Sequence, residues 1–330
     1  MNTTESENIP PHKPKLLEQA RDILRANYYS RRTEEAYLGW MRRYILFHGK
    51  RHPRELREPE VGAFLSDLTV RLEVAASTQN QALNALLFFY RAVLKVAVGE
   101  VAAVRVRRPE RVRKALAVEE TRVLLAAVEN VCGYPTRLVA LLLYGAGLRV
   151  TEPLELRIKD VDVPGRRLVI RGAKGAKDRL VDLPATLVEA MTAQLQVARA
   201  VWRGDVAAGL PVAMPGLLAR KAPRMALAEQ WAWVFPGHRP MDHPRSGERV
   251  RWRMHEVNVQ RAVRAAAVQA RLAGKVTPHV LRHCYATHAH EAGAPVRNLQ
   301  EAMGHTQIET TMRYLTPSAT GVRSPLDAMG

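Results

Sequence analysis

The chain has 330 residues, more than one hydrophobic core usually organises, so its length predicts two domains. Its 50 Lys and Arg against 32 Asp and Glu leave a formal net charge of +18, which predicts a polyanionic partner. Two cysteines exclude a disulfide-bonded scaffold, and the longest apolar run, Leu138 to Leu148, is well short of the ~20 residues of a membrane span. With no apolar signal-peptide core near the N-terminus, we expect a protein of the reducing cytoplasm without a membrane segment.

Helical patterns dominate from residue 15 to residue 100, after a polar, proline-bearing stretch at 1–14 that we expect to be a flexible tail. Apolar residues recur there at helical spacing in several segments. The predicted helix starts are Thr33 as the N-cap of a helix running to about His48, Pro59 in a first turn, and Ser77 or Thr78. This region is therefore predicted to be an all-helical domain.

A basic stretch follows at 101–116, where the composition changes and a domain boundary is predicted. Its centre, VRVRRPERVRK at 104–114, has no amphipathic period. One interpretation is a solvated charged linker; the other is a strap that lies on a phosphate backbone. In the second case the DNA-binding residues are Arg105, Arg107, Arg108, Arg111, Arg113 and Lys114.

Residues 117–330 form the second predicted domain, which is mostly helical with one small antiparallel β-sheet. The three predicted strands are Asp160–Val163, Arg166–Arg171 and Arg179–Leu183. A Pro164-Gly165 turn joins the first two strands, and a glycine-bearing turn that carries Lys174 and Lys177 joins the last two. The predicted fold class is thus mainly α with a small antiparallel sheet.

Residues 202–260 are predicted to be irregular, because they are rich in Pro, Gly and Trp and are too long for an ordinary connection. Helix signals resume after them. Thr277 and Pro278 start a helix that Gly293 ends, Gly304 ends the next helix, and Thr306 with Glu309 matches a capping box that starts the helix bearing Tyr314.

Cationic side chains and a phenol make up the chemistry of this second domain. His279 and Arg282 are three residues apart, so they share one face of a helix and are able to hold one anionic group. Tyr314 is a weak nucleophile at neutral pH, since a phenol has a pKa near ~10, and it needs neighbours that stabilise an anionic transition state. Arg149 and His305, like His279 and Arg282, are side chains that stabilise an anionic transition state at a phosphodiester. The set therefore predicts cleavage of a phosphodiester through a covalent phosphotyrosine.

A packing role for the tyrosine and a metal site in the histidine-rich helix are the alternatives. That helix carries His279, His283, His288 and His290. The glutamate of a zinc hydrolase motif and a third ligand are missing from this pattern. We therefore expect no metal and no cofactor, and activity that survives a chelator.

The order of these motifs resembles the tyrosine recombinase (phage integrase) family. The matching strings are GLRVTE at 147–152, AKGAKDR at 173–179, HVLRHCYATH at 279–288, MGH at 303–305 and TTMRY at 310–314. The resemblance implies a core-binding, SAM-like domain at 15–100 and an α+β catalytic domain at 117–330. Pro153 departs from the apolar or small residue that the family usually has there, but proline is tolerated in a first helical turn.

The resemblance also implies residue roles. Tyr314 would be the nucleophile, and Arg149, His279, Arg282 and His305 would contact the scissile phosphate. Lys174 would protonate the departing 5′ oxygen, whereas Lys177 would bind phosphate. The chemistry agrees, since two guanidinium groups stabilise the charge that develops on the phosphorane.

Residues 231–263 and the tail 321–329 are similar to integron integrases, which carry an extra helical insertion. That resemblance implies integration and excision of gene cassettes at double-stranded attI and folded single-stranded attC sites by four protomers on DNA. Trp231 and Pro244 match residues that line pockets for extrahelical bases. Trp252 and Arg253 stand where the subfamily has two histidines, so base preference is expected to differ.

Other assignments remain open at this stage. A Xer-like or phage-type recombinase shares the motifs but would lack the insertion within 202–260. A type IB topoisomerase would use the same chemistry without exchanging partners. A non-catalytic DNA-binding regulator would account for the charge but not for the ordered cationic set.

Overall fold

The computed structural model describes residues 15–103, 115–172, 178–216, 218–244, 246–305, 307 and 311–312. The chain divides between residues 111 and 112 into two compact units. The described residues are mainly helical, with a three-stranded and a two-stranded antiparallel sheet, and the predicted fold class is confirmed. Among the described helices, none is both long enough and apolar enough to cross a lipid bilayer.

The N-terminal unit is a helical bundle. Its helices are α1 (Leu16–Ala26), α2 (Arg31–Phe47), α3 (Glu58–Val70) and α4 (Ala76–Phe88), and α4 runs directly into a π-helical turn at Phe89–Leu94. The predicted N-cap of α2 is wrong: Ser30 caps the helix, because its Oγ accepts the backbone N–H of Thr33 at 3.1 Å. Thr33 therefore lies inside the first turn.

Two buried phenols join the helices of this unit. The hydroxyls of Tyr44 and Tyr90 lie 2.8 Å apart, and the Tyr90 hydroxyl also donates to the carbonyl of Leu56 at 3.1 Å. Burial raises the pKa of both Tyr44 and Tyr90, so both phenols remain protonated and able to donate. Since each buried hydroxyl has a partner, the aromatic rings fill the core without an unpaired polar group.

The C-terminal unit contains the other helices of the described residues. They are α5 (Val118–Ala127), α6 (Thr136–Gly145), α7 (Thr151–Leu154), α8 (Val188–Ala207), α9 (Leu218–Lys221), α10 (Glu256–Gln269), α11 (Pro278–Glu291) and α12 (Val296–Met303). Helix α11 packs on α6, and α10 packs on α5 and α6. Fully buried Leu142, Leu143 and Leu281 lie in this core, so the helix that carries His279 and Arg282 is fixed by apolar contacts.

A three-stranded sheet lies beside these helices, in the order β1 (Val161–Asp162), β2 (Arg167–Ile170) and β3 (Arg179–Asp182). Leu168 pairs with Val181 in the antiparallel register, and both side chains are buried. The three predicted strands are present, each shorter than predicted by one or two residues at its ends. The turn between β2 and β3 at 173–177 lies outside the described residues.

The segment predicted to be irregular is shorter than expected, because residues 202–207 belong to α8 and residues 256–260 to α10. We call residues 208–255 the connecting segment. It contains α9, short 3₁₀ turns and a two-stranded sheet of β4 (Met241–Asp242) and β5 (Arg249–Val250). Its Arg251 Nε donates to Asp205 Oδ2 of α8 at 2.8 Å, which joins the segment to the core.

Candidate active site

The loop between α6 and α7 brings the first arginine to the site. Gly147 in this loop has a φ of +62°, and a Cβ there would lie 2.4 Å from the ring of Tyr285 on α11. Only glycine fits this close approach, and the position lets the backbone turn so that Arg149 follows two residues later. The Arg149 side chain remains 43% exposed.

Arg282 lies at the centre of the site with only 1% of its side chain exposed. Its Nη1 donates to the carbonyl of Gly147 at 2.6 Å, and its Nη2 donates to the carbonyl of Met303 at 2.6 Å. The guanidinium therefore bridges the loop after α6 and the end of α12. Such rigid anchoring favours an arginine over a lysine, because only the planar fork reaches both carbonyls.

Glu152, the second residue of α7, is shared by the arginines of the site. Its carboxylate accepts from Arg149 Nη1 at 2.8 Å and from Arg179 Nη2 at 2.7 Å, and it lies 3.7 Å from Arg282 Nη1. Burial by itself would raise the pKa of Glu152. The hydrogen bonds and charges of Arg179 and Arg149 outweigh that effect, so its pKa lies below the ordinary value. One carboxylate thus organises three guanidinium groups.

Arg179 joins the β-sheet to this arrangement from the first residue of β3. Its Nε donates to the carbonyl of Ala302 at 2.8 Å, while its Nη2 binds Glu152. Gly304 ends α12 with a φ of +63°, and a Cβ at this position would lie 2.9 Å from Arg179 Nη1. The close packing of Arg179 on Gly304 places the following residue, His305, beside the arginines.

His305 is 9% exposed and touches Arg282, since its Nε2 lies 2.8 Å from Arg282 Nη2. Its Nδ1 lies 2.9 Å from the Oγ1 of Thr311. Burial, together with the positive charges of Arg282, Arg149 and Arg179, lowers the pKa of His305 to about 4. The imidazole is therefore neutral at pH 7.

His279 is the second residue of α11 and is exposed, one helical turn before Arg282. The structure therefore brings Arg149, Arg282 and His305 together and places His279 at the solvent side of the same helix. The other predicted catalytic residues, Lys174 and Tyr314, lie outside the described residues. So do Lys177 and the predicted backbone contacts of the basic stretch, Arg105, Arg107, Arg108, Arg111, Arg113 and Lys114.

The charges at this site do not cancel. Three guanidinium groups surround one carboxylate, so a net positive charge remains next to the partly exposed Arg149. Fixed cations in a partly buried site stabilise an anion more strongly than cations in water do, because there is less solvent to screen them. The arrangement is suited to hold a phosphate diester and to stabilise additional charge on its oxygens.

Comparison with known proteins agrees with this chemistry. Residues 114–320 match the model described as "Phage integrase family", and residues 16–100 match "Phage integrase, N-terminal SAM-like domain". An "Integrase/recombinase" of Escherichia coli is 41% identical over all of this chain and 98% of its own length. The chain belongs to the phage integrase family of tyrosine recombinases.

More distant relatives show the same organisation. "Tyrosine recombinase XerA" of Thermococcus onnurineus is 30% identical over 91% of this chain and 89% of its own length. A lambda integrase dimer bound to a core site is similar in fold, with a TM-score of 0.61 over 94% of this chain and 97% of that one, at 15% identity. The recombinase is therefore an enzyme that cleaves and rejoins DNA, with a SAM-like N-terminal domain and a catalytic domain.

Trp231 of this recombinase is half-buried in the connecting segment, against the apolar side chains of Val212 and Met214. Lys159 places its Nζ 3.0 Å above the centroid of the Trp231 ring. Among the described residues no group accepts the Trp231 indole N–H, which is itself buried. Trp231 thus has a cation on its ring and a polar atom without a partner.

Trp233 forms a different contact two residues later. The guanidinium of Arg157 lies 3.1 Å from the centroid of its ring and donates to the carbonyls of Trp231 and Ala213 at 2.6 and 2.7 Å. Burial lowers the pKa of Arg157 to about 9. The cation–π contact and the two hydrogen bonds to carbonyls compensate for the cost of burying the charge. Arg157 thereby holds the backbone of the connecting segment at Trp231 and Ala213.

The other predicted DNA-binding residues that the structure describes, Pro244, Trp252 and Arg253, are not part of the apolar cluster that contains Trp231. Trp252 packs with Trp233 in a separate apolar cluster, and its ring is tilted against that of His243 at 5.3 Å. Pro244 is exposed in the turn that follows β4. Arg253 is 18% exposed and pairs with Glu155 at 3.5 Å, so its guanidinium already has an anionic partner.

Two residues of the site carry no prediction from the sequence. Glu152 appears in the GLRVTE string, but only as part of a helix start, and Arg179 only as the first residue of a strand. The spacing of Arg149 and Glu152 is a usable signal, because residues three apart at a helix start can form an ion pair. Arg179 has no such local signal, since its partners Glu152 and Ala302 are distant in sequence.

Proposed function

We propose that this tyrosine recombinase is an integron integrase, which integrates and excises gene cassettes by exchanging double-stranded attI with folded single-stranded attC sites. The connecting segment carries this proposal. It places Trp231 half-buried, with a cation on its ring and an indole N–H that lacks a partner among the described residues. Unpaired bases are held by stacking on aromatic rings and by hydrogen bonds to their edges. The ring of Trp231 and its indole N–H are therefore suited to an extrahelical base.

The proposed reaction begins with the phenol oxygen of Tyr314, which attacks the scissile phosphorus while one of the histidines of the site accepts the phenol proton. A 3′-phosphotyrosine bond forms, the bond to the 5′ oxygen breaks, and Lys174 donates a proton to that oxygen. Arg149 and Arg282 stabilise the charge on the non-bridging oxygens, His279 donates a hydrogen bond to them, and His305 completes the site from its position against Arg282. The position of Glu152 supports these roles, since its carboxylate lies next to both Arg149 and Arg282.

The proposed domain limits follow the sequence. Residues 15–100 form the core-binding domain, 101–116 the basic linker and 117–330 the catalytic domain, and the two family models with their matches at 16–100 and 114–320 support this division. Joining two sites requires two protomers on each, so we propose a homotetramer on DNA in the cytoplasm.

A Xer-type recombinase that acts on duplex sites alone is the second candidate. The archaeal XerA relative favours it, because its similarity extends over 91% of this chain. The two candidates differ in the role of the connecting segment. An integron integrase uses that segment to bind bases of a folded strand, whereas a Xer-type enzyme exchanges two duplexes without it.

A strand-exchange assay separates the candidates. The purified recombinase is given a duplex attI site and either the folded bottom strand or the folded top strand of an attC site. We expect exchange with the bottom strand and little with the top strand. Equal exchange with both strands, or exchange between duplex sites only, would contradict the integron assignment.

Matched tryptophan variants test the proposed base contact. Trp231→Leu removes the stacking ring, and we expect about tenfold less attC exchange, since a stacked base contributes ~1–3 kcal/mol. Trp202→Leu is the control, because this half-buried indole donates to the carbonyl of Leu227 at 2.9 Å and packs on the catalytic core. The affinity for duplex DNA should be nearly the same in Trp231→Leu as in the unmodified chain.

Tyr314→Phe tests the chemistry independently of the substrate. We expect this variant to bind DNA as the unmodified chain does but to form no covalent complex with a nicked substrate that traps the intermediate. A covalent complex in Tyr314→Phe would move the nucleophile to another residue.

A further inference from the structure

The ring of His305 is held from both of its nitrogen atoms. Nε2 lies 2.8 Å from Arg282 Nη2, and Nδ1 lies 2.9 Å from the Oγ1 of Thr311. Thr311 is fully buried, and His305 is 9% exposed. Both contacts are therefore largely shielded from water. A hydrogen bond in such a buried place is electrostatically stronger than one in water.

These contacts determine where the proton of the imidazole resides. A guanidinium carries only N–H donors, so Nε2 of His305 must present its lone pair to Arg282. The single proton of the neutral ring is then on Nδ1 and is donated to Thr311 Oγ1. The lowered pKa of His305, caused by burial and by the neighbouring arginines, is consistent with this neutral form.

We propose that Thr311 is a positioning residue of the recombinase: its hydroxyl oxygen holds His305 in the Nδ1–H tautomer and so directs the Nε2 lone pair at Arg282. This inference deepens the proposed function and rests on it for the role of Arg282 at the phosphate. Thr311 precedes the candidate nucleophile by three residues, so the same bond connects the tyrosine-bearing stretch of sequence to the arginines.

The lone pair has a physical task at this position. Arg282 uses Nη1 for the Gly147 carbonyl and Nη2 for the Met303 carbonyl, and Nε2 of His305 accepts from Nη2 as well. In the other tautomer, an N–H on Nε2 would point at the N–H groups of Arg282 and repel them. Loss of the tautomer would therefore displace a guanidinium whose orientation the reaction requires.

The alternative is that Thr311 only fills space in the core. Valine has nearly the shape of threonine but lacks the acceptor, so Thr311→Val preserves the packing and removes the hydrogen bond. Thr311→Ser preserves the acceptor and removes a methyl group. The proposal predicts a defect in the first variant, whereas a packing role predicts a defect in the second.

The tautomer is measured directly by ¹⁵N NMR of histidine-labelled full-length protein near pH 7, without DNA. The His305 signals are assigned by their disappearance in His305→Asn. We expect a protonated Nδ1 and an unprotonated Nε2 in the unmodified chain and in Thr311→Ser, and a mixture or the reverse in Thr311→Val. A protonated Nε2 in the unmodified chain would overturn the proposal, whatever the activity of the enzyme.

Cleavage of a trapping substrate provides the second measurement. We expect the rate of covalent complex formation to fall about 10–100-fold in Thr311→Val and to remain within about threefold in Thr311→Ser. Thr192→Val is the control, because the Thr192 hydroxyl donates to the carbonyl of Val188 in its own helix. Unchanged cleavage and tautomer in Thr311→Val would refute the positioning role.

The two measurements also separate this inference from the proposed function. If Thr311→Val does not fold, the tautomer in the unmodified chain and the cleavage rate of Thr311→Ser still distinguish a positioning role from a packing role. Slow cleavage by Thr311→Ser with an unaltered tautomer would favour packing. If the tautomer is as expected but Tyr314→Phe still cleaves DNA, the proposed chemistry fails while the role of Thr311 at His305 stands.

Discussion

Asp205 and Glu152 both bind arginine in the described part of the catalytic unit, and they are arranged differently. Asp205 accepts from a single guanidinium, that of Arg251, through both of its oxygens. Glu152 divides its oxygens between Arg149 and Arg179 and also faces Arg282. The first arrangement is electrically balanced, whereas the second retains excess positive charge.

Exposure differs in the same way. Arg251 is 11% exposed and ties the connecting segment to α8, while Arg149 is 43% exposed beside Glu152. A balanced buried pair contributes to the architecture of the fold and has little left to offer a ligand. An unbalanced group with one accessible guanidinium attracts an anion. The same residue types therefore build a scaffold in one place and a phosphate site in the other.

Conversion of each carboxylate to its amide should show the largest difference between Glu152 and Asp205. We expect Glu152→Gln to reduce the rate of covalent complex formation about 10²–10³-fold, because the guanidinium groups lose the anion that orients them. Asp205→Asn is the matched control, and its cleavage rate on a duplex site should remain within about threefold. Both variants should unfold at lower temperature, since each leaves a buried arginine without its anion.

The two variants also define the contrary result. Equal loss of cleavage in both would mean that Glu152 contributes only to stability. Calorimetric unfolding and single-turnover cleavage on the same preparations would distinguish the two effects.

A smaller effect is expected from Arg179→Lys, which preserves the charge next to Glu152. A lysine has a single nitrogen in place of the separate Nε and Nη2 that bind the Ala302 carbonyl and Glu152, so the end of α12 is less firmly held. We expect cleavage to fall about tenfold, measured on the trapping substrate. A rate equal to that of the unmodified chain would show that charge alone is needed at this position.

The low pKa of His305 predicts a dependence of stability on pH. In the unfolded chain its pKa returns to the ordinary value of 6.5, so between pH 6.5 and about 4 the unfolded state binds more protons. The contribution is present in full above pH 6.5 and is lost as the pH falls through this window. It is about 3 kcal/mol at most, from the shift of the pKa.

Urea unfolding at several pH values would measure this contribution, and His305→Asn is the comparison, because its amide does not titrate. We expect the free energy of unfolding of the unmodified chain to fall more steeply below pH 6.5 than that of His305→Asn. Parallel curves would show that His305 titrates normally in the folded chain.

No effect is expected from removal of divalent metals. Guanidinium groups fixed around Glu152 supply the positive charge that a metal ion supplies in many phosphodiester reactions. Cleavage of the trapping substrate should therefore proceed at the same rate in EDTA. Loss of cleavage that Mg²⁺ restores would contradict the prediction.

Local patterns in the sequence were sufficient for much of the fold. Thr277 and Pro278 predict the start of the helix that holds His279 and Arg282, and the glycine-bearing turn predicts that β2 and β3 pair. Capping was less predictable, since Ser30 and Thr33 are both good N-cap residues and only the backbone at Ser30 has the required extended conformation.

The sequence by itself determined which chemistry the chain can perform, because cations, a phenol and their order are properties of the residues. Only the tertiary structure decided how they are connected. Glu152 meets Arg179 and Arg282, and His305 meets Arg282, across long separations in sequence. Such contacts depend on how helices and strands pack, and a local pattern does not encode them. The same applies to Trp231 and Trp252, which belong to one connecting segment but lie in separate apolar clusters.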